Sequence, residues 1–168
     1  MTIYTTDRLT VRMWTDSPAD VKRLDDIMSR EEVTRWLPGA VPPAADLVPR
    51  YRAHSEPDPT LGVWAIEERE TGVVAGTILL KRLPNGDDEV EVGWHLHPDM
   101  WGRGYATEAA RGALERAWAA GIGEVYALTF PDNHPSQAVC RRIGMSHIGQ
   151  TDRWYGVQAE LFRVERAL

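Results

Sequence analysis

Eight residues in the middle of the chain, Trp101-Gly102-Arg103-Gly104-Tyr105-Ala106-Thr107-Glu108, have types and spacing suited to holding an anion. Small residues recur at 102, 104 and 106, between a predicted strand and a predicted helix. Such a turn aims successive backbone N–H groups at one spot, and the helix N-terminus adds the positive end of its dipole. A phosphate group suits that spot, and a tight strand-to-helix turn is the bland alternative. A P-loop is excluded because no Gly-Lys-Ser/Thr follows. The dinucleotide fingerprint fits poorly: Thr107 stands where its third small residue belongs, and the strand before the loop ends an antiparallel meander.

The strand leading into the loop carries proton-transfer candidates. Glu91 shares a face with His95, opposite Val90 and Val92, and is the best candidate base for an attacking nucleophile. The competing reading is an exposed strand glutamate beside Asp87, Asp88 and Glu89. His95 and His97 can also shuttle protons. A two-histidine metal site lacks a third ligand at suitable spacing, so no metal is expected. Seven tryptophans are many for this length, and Trp36, Trp94, Trp101 and Trp154 sit beside turns where they can line a pocket.

Positioning these residues requires a particular run of elements. Residues 7–13 alternate polar and apolar as a half-buried strand. A helix is expected over roughly 18–29, and Glu31–Leu37 continues as a short helix or turn. Pro38–Pro49, with four prolines and a glycine, reads as an irregular loop or broken helix, followed by a helix through Leu47–His54. Strands follow at Gly62–Glu68, Gly72–Arg82 and Glu89–Leu96, the last two joined by Pro84-Asn85-Gly86-Asp87 as a type I′ hairpin. The strongest helix is Thr107–Ala120, with an apolar stripe of Ala110, Ala113, Leu114, Ala117 and Trp118 and Gly121 at C′. Val125–Phe130 reads as a buried strand. Pro135–Ile143 reads as a short helix with Pro135 at N1 and Gly144 after its end. His147–Thr151 and Gln158–Val164 close the chain as paired strands. The order predicts an α+β, or mixed α/β, fold with one parallel crossover around the 107–120 helix.

At 168 residues the chain is the size of one domain. Apolar content of 43% and charged content of 26% are ordinary for a globular protein. A net charge of −6 argues against general nucleic-acid binding. Cys140 is the only cysteine, which excludes an intramolecular disulfide. No secretory pattern opens the sequence, and no apolar run approaches the ~20 residues of a membrane span, so a soluble cytoplasmic protein without membrane partners is expected.

Taken together, Glu91-Val92-Gly93-Trp94-His95-Leu96-His97-Pro98 and the run from Trp101 to Ala109 resemble acetyl-CoA motif A of the GNAT acyltransferases, most closely the ribosomal-protein N-acetyltransferase (RimJ/RimL-like) branch. Asn133-x-x-Ser136 and Arg142-Ile143-Gly144-Met145 resemble that branch's next motif, and Thr6–Arg12 its first strand. The resemblance covers nearly the whole chain in order. It implies a single GNAT acyl-CoA N-acyltransferase domain over 1–168, with a central mixed, mostly antiparallel sheet flanked by helices. Acetyl-CoA is the implied cosubstrate and a primary amine the acceptor, either a protein N-terminus or a small molecule, attacked directly in a ternary complex. A homodimer is compatible with the resemblance, though no interface is legible.

The resemblance also implies roles. The strand carrying His95, Leu96 and His97 splays from its neighbour and offers backbone groups to the pantetheine, and an N–H of Leu96 or His97 polarises the thioester carbonyl. Gly102, Arg103, Gly104, Tyr105, Ala106 and Thr107 hold the pyrophosphate, largely through backbone amides. Asn133 ties the strand end to the pantetheine, its alternative being a turn residue. Ser136 lies near the sulfur and can protonate the leaving thiolate, its alternative being a helix cap. Trp36, Trp94, Trp154 and Tyr155 are expected to wall the acceptor site. Two departures stand out. Trp101 replaces the Gln or Arg of the general pattern, as is typical of this branch. Cys140 stands where many GNAT enzymes have a tyrosine acid, which lends weight to an alternative: a non-catalytic acyl-CoA-binding or regulatory module on the same fold.

Overall fold

The computed structural model describes all of residues 1–168. One eight-stranded sheet runs through it, in the order β1-β2-β3-β4-β5-β6-β8-β7. The strands are β1 (Thr2–Thr5), β2 (Leu9–Met13), β3 (Gly62–Glu68), β4 (Val74–Arg82), β5 (Val90–Leu96), β6 (Glu124–Thr129), β7 (Ser146–Thr151) and β8 (Ala159–Glu165). The helices are α1 (Pro18–Met28), α2 (Glu31–Thr34), α3 (Ala44–Ala53), α4 (Tyr105–Ala119) and α5 (His134–Arg142). Every neighbouring pair is antiparallel except β5 and β6, which α4 joins as a parallel crossover.

Alternation along the strands builds two cores. Trp64 and Ile66 of β3 join Leu80, Val90 and Val92 in the larger core, which Ala109, Ala110, Ala113 and Leu114 of α4 cover. Ala65, between them, faces the opposite side, where Leu24, Ile27, Leu47 and Val48 of α1 and α3 form the smaller core. The mixed, mostly antiparallel sheet flanked by helices is as expected. On β5 the same alternation puts Val90, Val92 and Leu96 into the larger core and turns Glu91 and His95 to the other face.

Local differences have local causes. β1 is an additional strand, too short at four residues to show a period. α3 begins at Ala44 and carries Pro49 inside, at the loss of one helical hydrogen bond. The β4–β5 turn is not type I′: Asn85 has φ 56° but Gly86 does not lie at positive φ. Glu89 opens it into a wider loop by accepting the Asp87 and Asp88 amides at 2.7 and 3.2 Å. In α5, Asn133 is the N-cap, so Pro135 is the second helical residue rather than the first.

Candidate active site

The feature that makes a site is the parting of β5 from β6. Their pairing is a single bridge, Glu91 with Tyr126. β5 is held to β4 along its whole length, and β6 to β8. Beyond the bridge the two strands diverge, and a cavity of about 610 Å³ opens between them, lined from Glu91 to Leu96 on one side and from Ala127 to Phe130 on the other.

Ladder alternation decides which backbone groups reach this gap. The His97 N–H donates to the Ala75 carbonyl at 2.8 Å, so His97 and His95 bond towards β4, while Trp94 and Leu96 present their groups to the cleft. The Leu96 carbonyl accepts the Trp101 indole N–H at 3.0 Å, which leaves the Leu96 N–H and both Trp94 groups. This corrects the expectation for His95 and His97: the backbone groups of both turn to β4, and the His97 ring does not line the cavity. The ring is buried, with Nε2 2.8 Å from Asp26 Oδ2 of α1 and Nδ1 accepting the Asp99 N–H.

The glycine loop lies at the open end. Gly102 and Gly104 sit at φ 74° and 78°, the left-handed region that glycine tolerates. Gly104 is the N-cap of α4, and no side chain caps this 15-residue helix. The amides of Tyr105, Ala106 and Thr107 therefore lack helical partners and border the cavity, as do Gly102 and Gly104. Side chains pin the loop from behind. Arg8 donates to the Arg103 carbonyl at 2.8 Å and to Glu108 at 2.7 Å. Tyr105 is buried and donates its hydroxyl to Glu68 at 2.6 Å, and Arg103 reaches the same carboxylate at 3.6 Å. The Arg103 side chain thus points away from the cavity lining. Arg8 and Glu68 were not picked as site residues from the sequence, since neither has a local pattern that ties it to a loop about a hundred or forty residues away.

On the β6 side, the Asn133 side chain accepts the Ser136 N–H at 3.3 Å, so capping falls to Asn133 and not to Ser136. The Ser136 hydroxyl has no protein partner and borders the cavity. Cys140 is buried, and burial pushes its thiol up to about 12, so it stays a protonated packing group. Arg142 borders the cavity, whereas Arg141 lies over the Phe162 ring at 5.5 Å.

The opposite face holds a polar cluster. Glu91 is 5% exposed; one of its oxygens, Oε1, accepts the Tyr155 hydroxyl and lies 3.1 Å from Lys81 Nζ. Its second oxygen has no protein partner. Lys81 is directly cross-strand from Glu91, a pairing the hairpin register sets but which the sequence reading left unused. Burial, then the Glu91 charge, pushes the Tyr155 phenol well above its ordinary range. His95 also borders the cavity with Nε2 buried and unpartnered, and burial lowers its pKa to about 4. Trp36, Trp94 and Tyr155 line the cavity. Trp154 does not: it is buried against Tyr126, ring centroids 5.7 Å apart. No three His, Cys, Asp or Glu side chains group as metal ligands, and no helix is long and apolar enough to cross a membrane.

A mostly antiparallel sheet opened by one parted parallel pair, with an uncapped helix end at its mouth, makes a cleft suited to an elongated, phosphate-bearing ligand. Residues 8–146 match the family described as acetyltransferase (GNAT) domain, and the chain belongs to that family. It is 27% identical over 152 residues to the uncharacterised N-acetyltransferase YoaA of Bacillus subtilis (strain 168), covering 88% of this chain and 84% of that one. Among solved structures, an acetyltransferase from Agrobacterium tumefaciens is 26% identical with TM-score 0.80, covering 97% and 94% of the two chains. Mycobacterium smegmatis RimJ, solved with CoA-disulfide, is 18% identical with TM-score 0.75, covering 94% and 81%. The protein is an N-acetyltransferase, and enzymes of its family use acetyl-CoA. The residues present fit that group: uncapped amides at α4 for its pyrophosphate, the free Trp94 backbone groups and Leu96 N–H for its amide-bearing arm, and an unpartnered hydroxyl at Ser136.

Proposed function

We propose that residues 1–168 act as one GNAT domain of the RimJ/RimL-like branch, acetylating a primary amine by direct attack within a ternary complex. The observation that carries this reading is the through-sheet cleft between β5 and β6, with Glu91 on one face and Ser136 near the other strand's end. Acetyl-CoA supplies the activated acyl group as a thioester. The amides of Gly102, Gly104, Tyr105, Ala106 and Thr107 bind its pyrophosphate, with Arg103 contributing its backbone. The Leu96 N–H polarises the carbonyl oxygen. Glu91 takes the proton of the attacking amine on its free oxygen, while Lys81 and Tyr155 hold the other. As the carbon–nitrogen bond forms and the carbon–sulfur bond breaks, the Ser136 hydroxyl would hydrogen-bond the departing thiolate, which leaves as such or takes its proton from water. Asn133 borders the same part of the cavity, and its amide NH₂ would serve the same arm. A free α-amine, with a reference pKa of ~7.7–8.0, needs less help to be neutral than a lysine at ~10.4.

The test is Glu91→Gln. With CoA release followed across an amine panel, kcat falls about 10²-fold or more, while acetyl-CoA affinity by calorimetry is unchanged. A variant with the parental rate removes Glu91 from the reaction.

A further inference from the structure

We propose that the acceptor is a small monoamine with an apolar, aromatic body, and that Trp36 selects it. This rests on the amine-acetylation reading above and narrows it. The acceptor half of the cavity is bounded by the chain after α2 and by the β7–β8 connection, which bring Trp36, Leu37, Tyr155 and Val157 to the lining. Trp36 meets Phe130, at the end of β6, with ring centroids 6.4 Å apart and planes at 42°. That is a contact distance for aromatic rings. An extended peptide needs about 4.7–4.9 Å to a partner on each side, so none passes between them. The aromatic pair bridges the chain after α2 to the end of β6 and closes the passage between those two segments to a polypeptide.

Charge narrows the class further. On this half the only charged lining groups are the carboxylates Glu32 and Glu91. Lys81 is already engaged by Glu91 and Tyr155 and does not reach the lining. Arg142 lies across the gap on α5, and Arg35 stacks on the Trp36 ring at 4.6 Å outside the cavity lining. An acceptor bearing a carboxylate meets no cation here, whereas an amine approaching as its ammonium form meets two carboxylates. Beyond the amine, the walls offer aromatic and aliphatic surface but few hydrogen-bonding groups. The cavity of about 610 Å³ must also admit the acyl-bearing arm of the cosubstrate, so the remaining space suits a body of one or two rings.

The experiment uses the full chain with acetyl-CoA, following CoA release with phenethylamine, methylamine, spermidine and hexapeptides beginning with Ala or Ser. The expected result is a kcat/KM for phenethylamine at least about ten-fold above those for the peptides and spermidine. Trp36→Ala then lowers the phenethylamine-to-methylamine ratio of kcat/KM about ten-fold, and Trp36→Phe restores most of it. Preferred acetylation of a peptide or of spermidine overturns the inference and leaves the amine-acetylation reading standing. So does a Trp36→Ala variant with an unchanged ratio. If the chain binds acetyl-CoA by calorimetry yet acetylates none of these amines, both the inference and the reading fall.

Discussion

Glu91 and His95 lie on the same strand face, yet their surroundings treat them differently. Glu91 is buried but compensated, by an ammonium cross-strand and a phenol from the β7–β8 connection. His95 has no partner at Nε2, so desolvation alone acts on it and holds it neutral. The unfolded chain takes up a proton at His95 near pH 6.5, while the folded chain resists until about 4. Its contribution to stability is therefore complete above 6.5 and is lost as pH falls towards 4, by at most about 3 kcal/mol. The ring keeps some contact with the cavity, which sets the cost below that limit. Urea unfolding at pH 7 and pH 5 checks this: the stability of the parent falls more steeply than that of His95→Gln. Equal slopes would mean that the imidazole is hydrated in the folded state.

At the scale of elements, α4 stands out among the helices by its left-handed N-cap glycine, and like α2 and α3 it has no side-chain cap. Capping instead occurs at α5, where Asn133 frees the Ser136 hydroxyl. A Cβ at Gly104 would meet only the end of the flexible Arg8 side chain, at 3.4 Å. Crowding is thus a minor obstacle there. Backbone strain, roughly 1–2 kcal/mol for a left-handed residue, and the sign of any added charge decide the outcome. Gly104→Ala is expected to weaken acetyl-CoA binding modestly, through strain alone. Gly104→Glu adds a negative charge beside the pyrophosphate amides and is expected to abolish binding detectable by calorimetry. Parental affinity in Gly104→Glu would remove the loop from the cosubstrate site.

Across the whole molecule, the sheet is one continuous layer except at the β5–β6 gap, where a single bridge and the α4 crossover connect its halves. A ligand lying in that gap replaces missing strand pairing and joins the two halves. By mass action, acetyl-CoA at one hundred times its Kd stabilises the fold by about 2.7 kcal/mol. A rise in Tm with acetyl-CoA, and slowed amide exchange at Trp94 and Leu96, are the expected readouts. A Tm rise with no change at those two amides would put the ligand elsewhere.

Local patterns were enough for the elements after β1 and for the glycine loop, because strand alternation, helix periodicity and glycine punctuation are short-range properties of a chain, while the family came from the resemblance of the motif residues. The motif residues from Glu91 to Thr107 and from Asn133 to Ser136 were legible for the same reason. Other features depend on which strand faces which. The His97 N–H pairs with Ala75 because of β4–β5 register, and Trp154 turns to Tyr126 because of how the β7–β8 connection lies across β6. Trp36 against Phe130 joins residues ninety-four positions apart. Side chains at such separations meet only after the sheet has formed, so no local pattern records them. The glycine-loop end of the cleft is built largely from contiguous chain and could be read directly, whereas the face bearing Trp36 and Tyr155 is assembled from distant segments and takes its character from packing.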